Sequence, residues 1–243
     1  MKILDDVLST LDFVTTVKDI RLGVMHTGVV SRGCGLASTL THDAFKQEGP
    51  HMIEPGNLLD KTAHELAMMA NSARIMEAAI GMATINSLIQ FDEAKCVAIN
   101  AAQILAEKGK GKKVAIIGHF PFISALEERV GQIWVIEKNP REGDFTEHEL
   151  ENILPLADVV GITGTAFTNH SLEHLLEICR PNAYVLMLGD TTPMSPVLFD
   201  YSINAVCGVK VVNTQLALNC VSQGANFRQM RGIRLLTMFK DSN

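Results

Sequence analysis

The 243-residue chain is 47% apolar, enough to bury a sizeable core in one large or two small domains, and its formal net charge is −6. Its only dense basic run, Lys108-Gly-Lys-Gly-Lys-Lys113, reads as a solvated linker, so nucleic acid is not an expected partner. The N-terminus lacks the layout of a secretory signal, and the most apolar helical stretch, residues 75–89, is too short for a membrane span and carries Glu77 and Asn86; a cytoplasmic protein with no membrane partner is expected.

In chain order, a short N-terminal helix leads to a half-exposed strand at residues 20–24. A second strand-like stretch at Val29-Val30 comes after the Thr27-Gly28 turn, and then a glycine-rich piece, RGCGLAST. Helical patterns occupy residues 61–70 and 74–90. A helix over residues 92–108 is expected to connect this α+β unit to the C-terminal part of the chain. From Val114 onward the rhythm changes. Continuous apolar runs at residues 114–117, 133–136, 158–162, 183–188, 209–212 and 233–238 alternate with helical patterns, as parallel strands covered on both faces do. Pro121 suits the first turn of the helix PFISALEER. Thr146 and Glu149 have capping-box spacing, with Phe145 placed to staple against Leu150. Asn169 or Ser171 starts another helix. The expected architecture is α/β: a doubly wound, mostly parallel Rossmann-like sheet over residues 92–243, preceded by a small α+β unit over residues 1–91.

The five cysteines, at 34, 96, 179, 207 and 220, are widely spaced and form no CxxC pair, so neither a disulfide framework nor a structural zinc site is indicated. Met68, Met69, Met76 and Met82 read as core. His170 and His174 have the spacing of two ligands on one helical face, but no HExxH surrounds them and they read as exposed helix residues. There is no GxSxG elbow and no Ser-His-Asp order.

Ligands of open parallel sheets bind beyond the carboxyl ends of the strands, so four loops matter. The first, Gly118-His119-Phe120-Pro121, opens as a nucleotide-binding turn does but replaces the glycines that admit a pyrophosphate with a ring, an imidazole and a proline. That argues against NAD. His119 is either an acid/base group or metal ligand, or a residue that holds the turn by hydrogen bonding. The second, Glu137-Lys138-Asn139, opens with an acidic residue about 20 positions after Gly118, where a ribose hydroxyl is held in dinucleotide folds; an ion pair with Lys138 or Arg141 explains it equally well. The third carries Thr163, Gly164, Thr165 and Asn169 ahead of a helix, either a cradle for an anion or a cap. The fourth carries Thr191, Thr192 and Ser195 in a stretch stiffened by two prolines, either a binding loop or a plain turn.

GKKVAIIGHFPF, IEKNP, ADVVGITGTAFTNHSLEHLL and LMLGDTTPMSPVLF, in that order and spacing, resemble the Rossmann-like domain of a family of unknown function described as "putative heavy-metal chelation". GLASTL and EAAIGMATINSL resemble the enolase N-terminal-like domain that precedes it. The resemblance implies that the N-terminal unit roofs the strand ends and adds Ser38, Thr39 and Glu77 to a shared cleft. It also implies a role in heavy-metal chemistry or in metabolism of a small chelator of pterin, flavin or siderophore type, though fold likeness does not fix function.

Three functions fit this reading. One is an enzyme acting by condensation, hydrolysis or group transfer on a small anionic or heteroaromatic molecule, with His119 and Glu137 as titratable groups and Phe120 as a stacking face. Another is a protein that chelates metal directly or through a bound molecule. The third is a methyltransferase-like enzyme using S-adenosylmethionine, supported by Glu137. The cofactor is left open between a heavy metal and a small organic chelator, and a homodimer is the default assembly.

Overall fold

The N-terminal segment KILDDVLS forms α1 (Lys2–Ser9), whose Ile3, Leu4, Val7 and Leu8 make one buried stripe. The computed structural model describes residues 1–240. After α1 come β1 (Asp19–Leu22), β2 (His26–Val30) and β3 (Cys34–Ser38), an antiparallel meander. The glycine-rich stretch, expected without a strand, is therefore β3. Its glycine serves packing rather than a loop: a Cβ on Gly35 would lie 2.1 Å from the carbonyl oxygen of Ala83 and 2.3 Å from the nitrogen of Ser87. Only glycine lets the helix backbone cross the strand so closely.

That helix is α4 (Ile75–Leu88), preceded by α2 (Thr41–Ala44) and α3 (Ala63–Met68). Thr62 and Glu65 close a reciprocal capping box at the start of α3. Twelve of the fourteen residues of α4 are buried, so the helix is enclosed on nearly every side.

The continuous helix expected over residues 92–108 does not form. Asp92 caps a single 3-10 turn, the chain then extends as β4 (Cys96–Val97), and α5 is only Ala101–Lys108. Asn100 and Gln103 form a capping box that restarts the helix, and cap chemistry outweighs helical continuity here.

The remainder runs β5 (Lys113–Ile117), α6 (Ile123–Glu127), β6 (Gln132–Ile136), α7 (Leu150–Ile153), β7 (Val159–Thr163), α8 (Thr165–Thr168), α9 (Leu172–Ile178), β8 (Tyr184–Leu188), β9 (Ala205–Val211), α10 (Thr214–Ser222) and β10 (Ile233–Phe239). The seven strands lie in the order β4-β10-β9-β8-β7-β5-β6; β5 to β9 are parallel, and β10 joins β9 and β4 antiparallel. This is the mixed α/β architecture expected, with the small antiparallel sheet in addition.

Three local expectations change. The first helix after β5 begins at Ile123 with Phe122 as its N-cap, so Pro121 precedes it. Thr146 makes no capping bond. The Phe145 backbone instead extends the β6 ladder, donating to Val135 and accepting from Glu137 at 2.7 and 2.9 Å, and the residue stays 38% exposed. His170 stands before α9 at φ +59°, so it does not share a helical face with His174.

The two sheets share one core. Ile3, Leu66, Ile80 and Leu88 of the N-terminal helices belong to the same buried cluster as Val160, Ile162, Met187 and Val206 of the large sheet. On the sheet's other face, Leu105 and Leu126 of α5 and α6 cover Ile116, Val159 and Leu186. Helix α10 returns to pack on β1 and β2.

Candidate functional site

Strand β6 lies on one side of β5 and β7 through β10 on the other, so the carboxyl ends of β5 and β7 part at a topological switch point. A broad cleft of about 1190 Å³ opens there. At its base Gly118 has φ +104°, and a Cβ would meet Phe120 Cε2 at 3.1 Å and Thr163 Cβ at 3.2 Å. This position needs glycine for conformation and for space at once.

The turn after Gly118 is held by carboxylates. Glu137 accepts the His119 backbone N–H on Oε2 at 2.9 Å and the Lys138 N–H on Oε1 at 2.8 Å. Both its oxygens thus hold the backbone of the turn, and each keeps a further lone pair for a ligand. The His119 ring meets Asp144, with Nδ1 3.0 Å from Oδ2, and the same oxygen accepts the Arg141 N–H at 3.0 Å. Asp144 lies in the loop after β6 and has no sequence signal beyond its charge. Phe120 stacks on Phe122 with ring centroids 5.4 Å apart, so one of its faces is taken.

Of the residues selected from the sequence, Gly118, His119, Phe120, Pro121, Glu137, Thr163, Gly164, Thr165, Asn169, Thr191 and Ser38 line this cleft. The hydroxyls of Thr163 and Thr165 are 3.0 Å apart, and Asn169 Oδ1 accepts the N–H and hydroxyl of Ser171. Five others serve elsewhere. Asn139 reaches across to the α2 region, accepting from Lys46 Nζ at 2.9 Å and donating to Asp43 at 3.4 Å, which ties the N-terminal unit to the rim. Thr192 packs against Gly164, where a Cβ would come within 2.4 Å of the Thr192 nitrogen. Ser195 is buried at the start of a 3-10 turn. Thr39 donates to the Gly23 carbonyl at 2.8 Å. Glu77 is buried and accepts from Ile53 N–H and the Ser72 hydroxyl at 2.7 and 2.6 Å, bracing the loop before α3.

The structure adds His26, Asp190 and Asn86. His26 and Ser38 are cross-strand partners at the ends of β2 and β3, and both reach Asp190 in the loop after β8. His26 Nδ1 lies 2.5 Å from Oδ2, and the Ser38 hydroxyl donates to Oδ1 at 2.9 Å. The Ser38 N–H donates to Thr191 Oγ1 at 2.8 Å. Asn86 Nδ2 donates to the carbonyls of Leu36, Asp190 and Thr191. One carboxylate thus joins the small sheet to the rim of the large one. No pairing rule links position 26 to position 190 along the sequence.

A metal centre made by the protein alone does not fit these residues. Among the described residues no three His, Cys, Asp or Glu side chains converge on a common point. The thiols that would favour a soft metal are dispersed, and burial pushes Cys34 and Cys179 up to about 12 and Cys207 to about 11, so they are held as protonated thiols. No described helix is long and apolar enough to cross a membrane.

Sheet order, switch-point cleft and N-terminal roof define a two-sheet Rossmann-like α/β protein with a ligand-sized crevice. Residues 100–240 match the DUF364 family model, described as "Putative heavy-metal chelation", and residues 5–89 match a second model, DUF4213, with the same description; the chain belongs to this family. It is 26% identical over 167 residues to an uncharacterized protein of Methanocaldococcus jannaschii, a match covering 66% of this chain and 64% of that relative, which is under two thirds of the relative's own length. A DUF364 protein of unknown function from Desulfitobacterium hafniense superposes with a TM-score of 0.85 at 26% identity, over 98% of each chain. One from Pyrococcus horikoshii superposes with a TM-score of 0.84 at 20% identity, again over 98% of each, and shows the shared fold alone.

Proposed function

We propose that this chain binds a small flat or anionic molecule in the switch-point cleft and acts on it as an enzyme, with His119 moving the proton. The observation that carries this is the His119–Asp144 pair: Nδ1 lies 3.0 Å from a carboxylate oxygen at the mouth of β5. An ionised carboxylate accepts only, so it holds the imidazole proton on Nδ1 and leaves Nε2 as base, or as acid once protonated. Glu137 fixes the backbone of the same residue and acts as a positioning group. Thr163, Thr165 and Asn169 offer hydrogen bonds around the ligand. Condensation, hydrolysis and group transfer all use such a histidine.

In this reading, any chelating donors belong to the bound molecule, of pterin, flavin or siderophore type, rather than to the protein. The dispersed thiols and the lack of a three-donor cluster among the described residues favour it over direct chelation.

Calorimetric titration of the full chain with a pterin, a flavin, a catechol and S-adenosylmethionine tests it. Heat is expected with one of the first three, weakened in His119→Asn, a variant that retains a side-chain N–H for Asp144. No heat from any of them at millimolar concentration, or binding indifferent to His119→Asn, overturns the proposal.

A further inference from the structure

We infer that His26 is a second functional histidine of the cleft: a proton acceptor, oriented by Asp190, for an acidic O–H or N–H of the bound molecule. This rests on the reading that the cleft holds a ligand. It assigns that ligand a chemical class, a small flat weak acid that is bound as its anion.

His26 lines the cleft and is only 5% exposed. Its Nδ1 is committed to Asp190, and Asp190 also accepts the Ser38 hydroxyl on its other oxygen. That leaves Nε2, which is buried and has no hydrogen-bond partner among the described residues. Buried polar atoms in folded proteins are overwhelmingly paired, so this nitrogen, on a residue of the cleft wall, calls for a partner from outside the chain. Asp190 as a pure acceptor holds the proton on Nδ1, so Nε2 presents a lone pair and the missing partner is a donor. Phe227 flanks the ring, its centroid 6.4 Å from that of His26 and tilted by 47°, and offers an apolar wall to a flat molecule. Arg228, on the same segment, donates to the Pro121 carbonyl at 3.0 Å and so ties this wall to the His119 turn.

A purely structural pin between the sheets accounts for Nδ1, which meets a carboxylate that Ser38 also supports from the neighbouring strand. It leaves Nε2 unexplained. In the proposed step the ligand's O–H or N–H bond breaks and its proton passes to Nε2, giving an imidazolium. The electron pair stays on the ligand as its anion, and the Asp190 carboxylate balances the new charge.

Nitrocatechol is a suitable probe, because it is flat and its absorbance reports loss of its proton. At a pH where the free probe is still protonated, the wild-type chain is expected to bind it with the spectrum of the anion. His26→Asn keeps an N–H for Asp190 but deletes Nε2. It is expected to bind on the order of tenfold more weakly, the scale of one lost hydrogen bond, and to leave the bound probe protonated. Unchanged affinity and anion spectrum in His26→Asn, with binding weakened in His119→Asn, overturn this inference and leave the cleft reading standing. Failure of the wild-type chain to bind this probe overturns this inference and leaves the cleft reading to the pterin and flavin titrations, whereas indifference to both variants overturns both. If His26→Asn does not fold, side-chain nitrogen NMR of the wild-type chain decides the same point. The bound probe must convert His26 from the tautomer protonated only on Nδ1 to the doubly protonated ring, and an unchanged tautomer refutes the inference.

Discussion

Glu137 accepts the backbone N–H of His119 at 2.9 Å, so the end of β6 shapes the turn at the end of β5. Register explains the pairing: the neighbouring Ile117 and Ile136 are paired residues of these parallel strands, which end side by side. Glu137→Ala strands two backbone donors, and a hydrogen bond to a charged acceptor contributes about 1.5–3 kcal/mol. We expect urea denaturation to show a loss of about 2 kcal/mol, with Glu137→Gln recovering part of it through its carbonyl oxygen. Wild-type stability in Glu137→Ala would show that the carboxylate does not hold the turn.

At Gly35 the test is steric. An added methyl group would press on the backbone of α4 at Ala83 and Ser87, atoms that no side-chain rotation can move aside. Gly35→Ala should destabilise the chain by about 1–3 kcal/mol, the usual range for overpacking, visible as a lower urea midpoint at unchanged slope.

Acid stability should depend on Asp158. Its carboxyl is held below its ordinary value of 3.8, chiefly by the Lys113 backbone N–H and then by Arg180. A group with a depressed folded pKa contributes stability above its unfolded value, and the contribution disappears as pH falls through the folded value. Denaturation midpoints measured from pH 6 downward should therefore fall less steeply below about pH 4 in Asp158→Asn than in wild type. Parallel curves would refute this.

The thiols give the opposite sign. Burial raises Cys34 and Cys179 to about 12 from an ordinary value of 9.0, so the folded state prefers the neutral form. Their contribution is complete below about pH 9 and lessens as pH rises toward 12. At pH 8 a thiol reagent should label these two slowly in the native chain and rapidly in urea. Equal rates would show that the fold shields neither of these half-buried thiols.

Cadmium added to the ligand-free chain should find no stoichiometric tight site, because the described residues offer no three converging donors. Calorimetry reporting one tightly bound ion per chain would restore direct chelation.

Much of the architecture was legible in the sequence because it rests on local period. The apolar runs from Val114 onward mark the strands of the large sheet, β5 to β9 parallel and β10 antiparallel, and β9 and β10 extend only a few residues beyond the expected limits. The errors fell where side chains or glycines answer to distant partners. Strand β3 was hidden because Gly35 is required by α4, 48 residues away at Ala83. The helix expected at residues 92–108 failed because β4 exists only as an edge partner for β10.

The site divides in the same way. The GHFP turn, the Thr163–Asn169 loop and Glu137 stood out because switch-point loops come directly after recognisable strands. The partners that orient the two histidines did not. Asp144 and Asp190 carry no motif, and His26 sits in a strand 164 residues from its carboxylate. Propensity, period and turn chemistry act over a few neighbouring residues, and they were enough to set the sheets, most of the helices and the loops that rim the cleft. Which carboxylate meets which imidazole was settled by packing, since those contacts exist only once two sheets share one core and bring remote segments within hydrogen-bond distance.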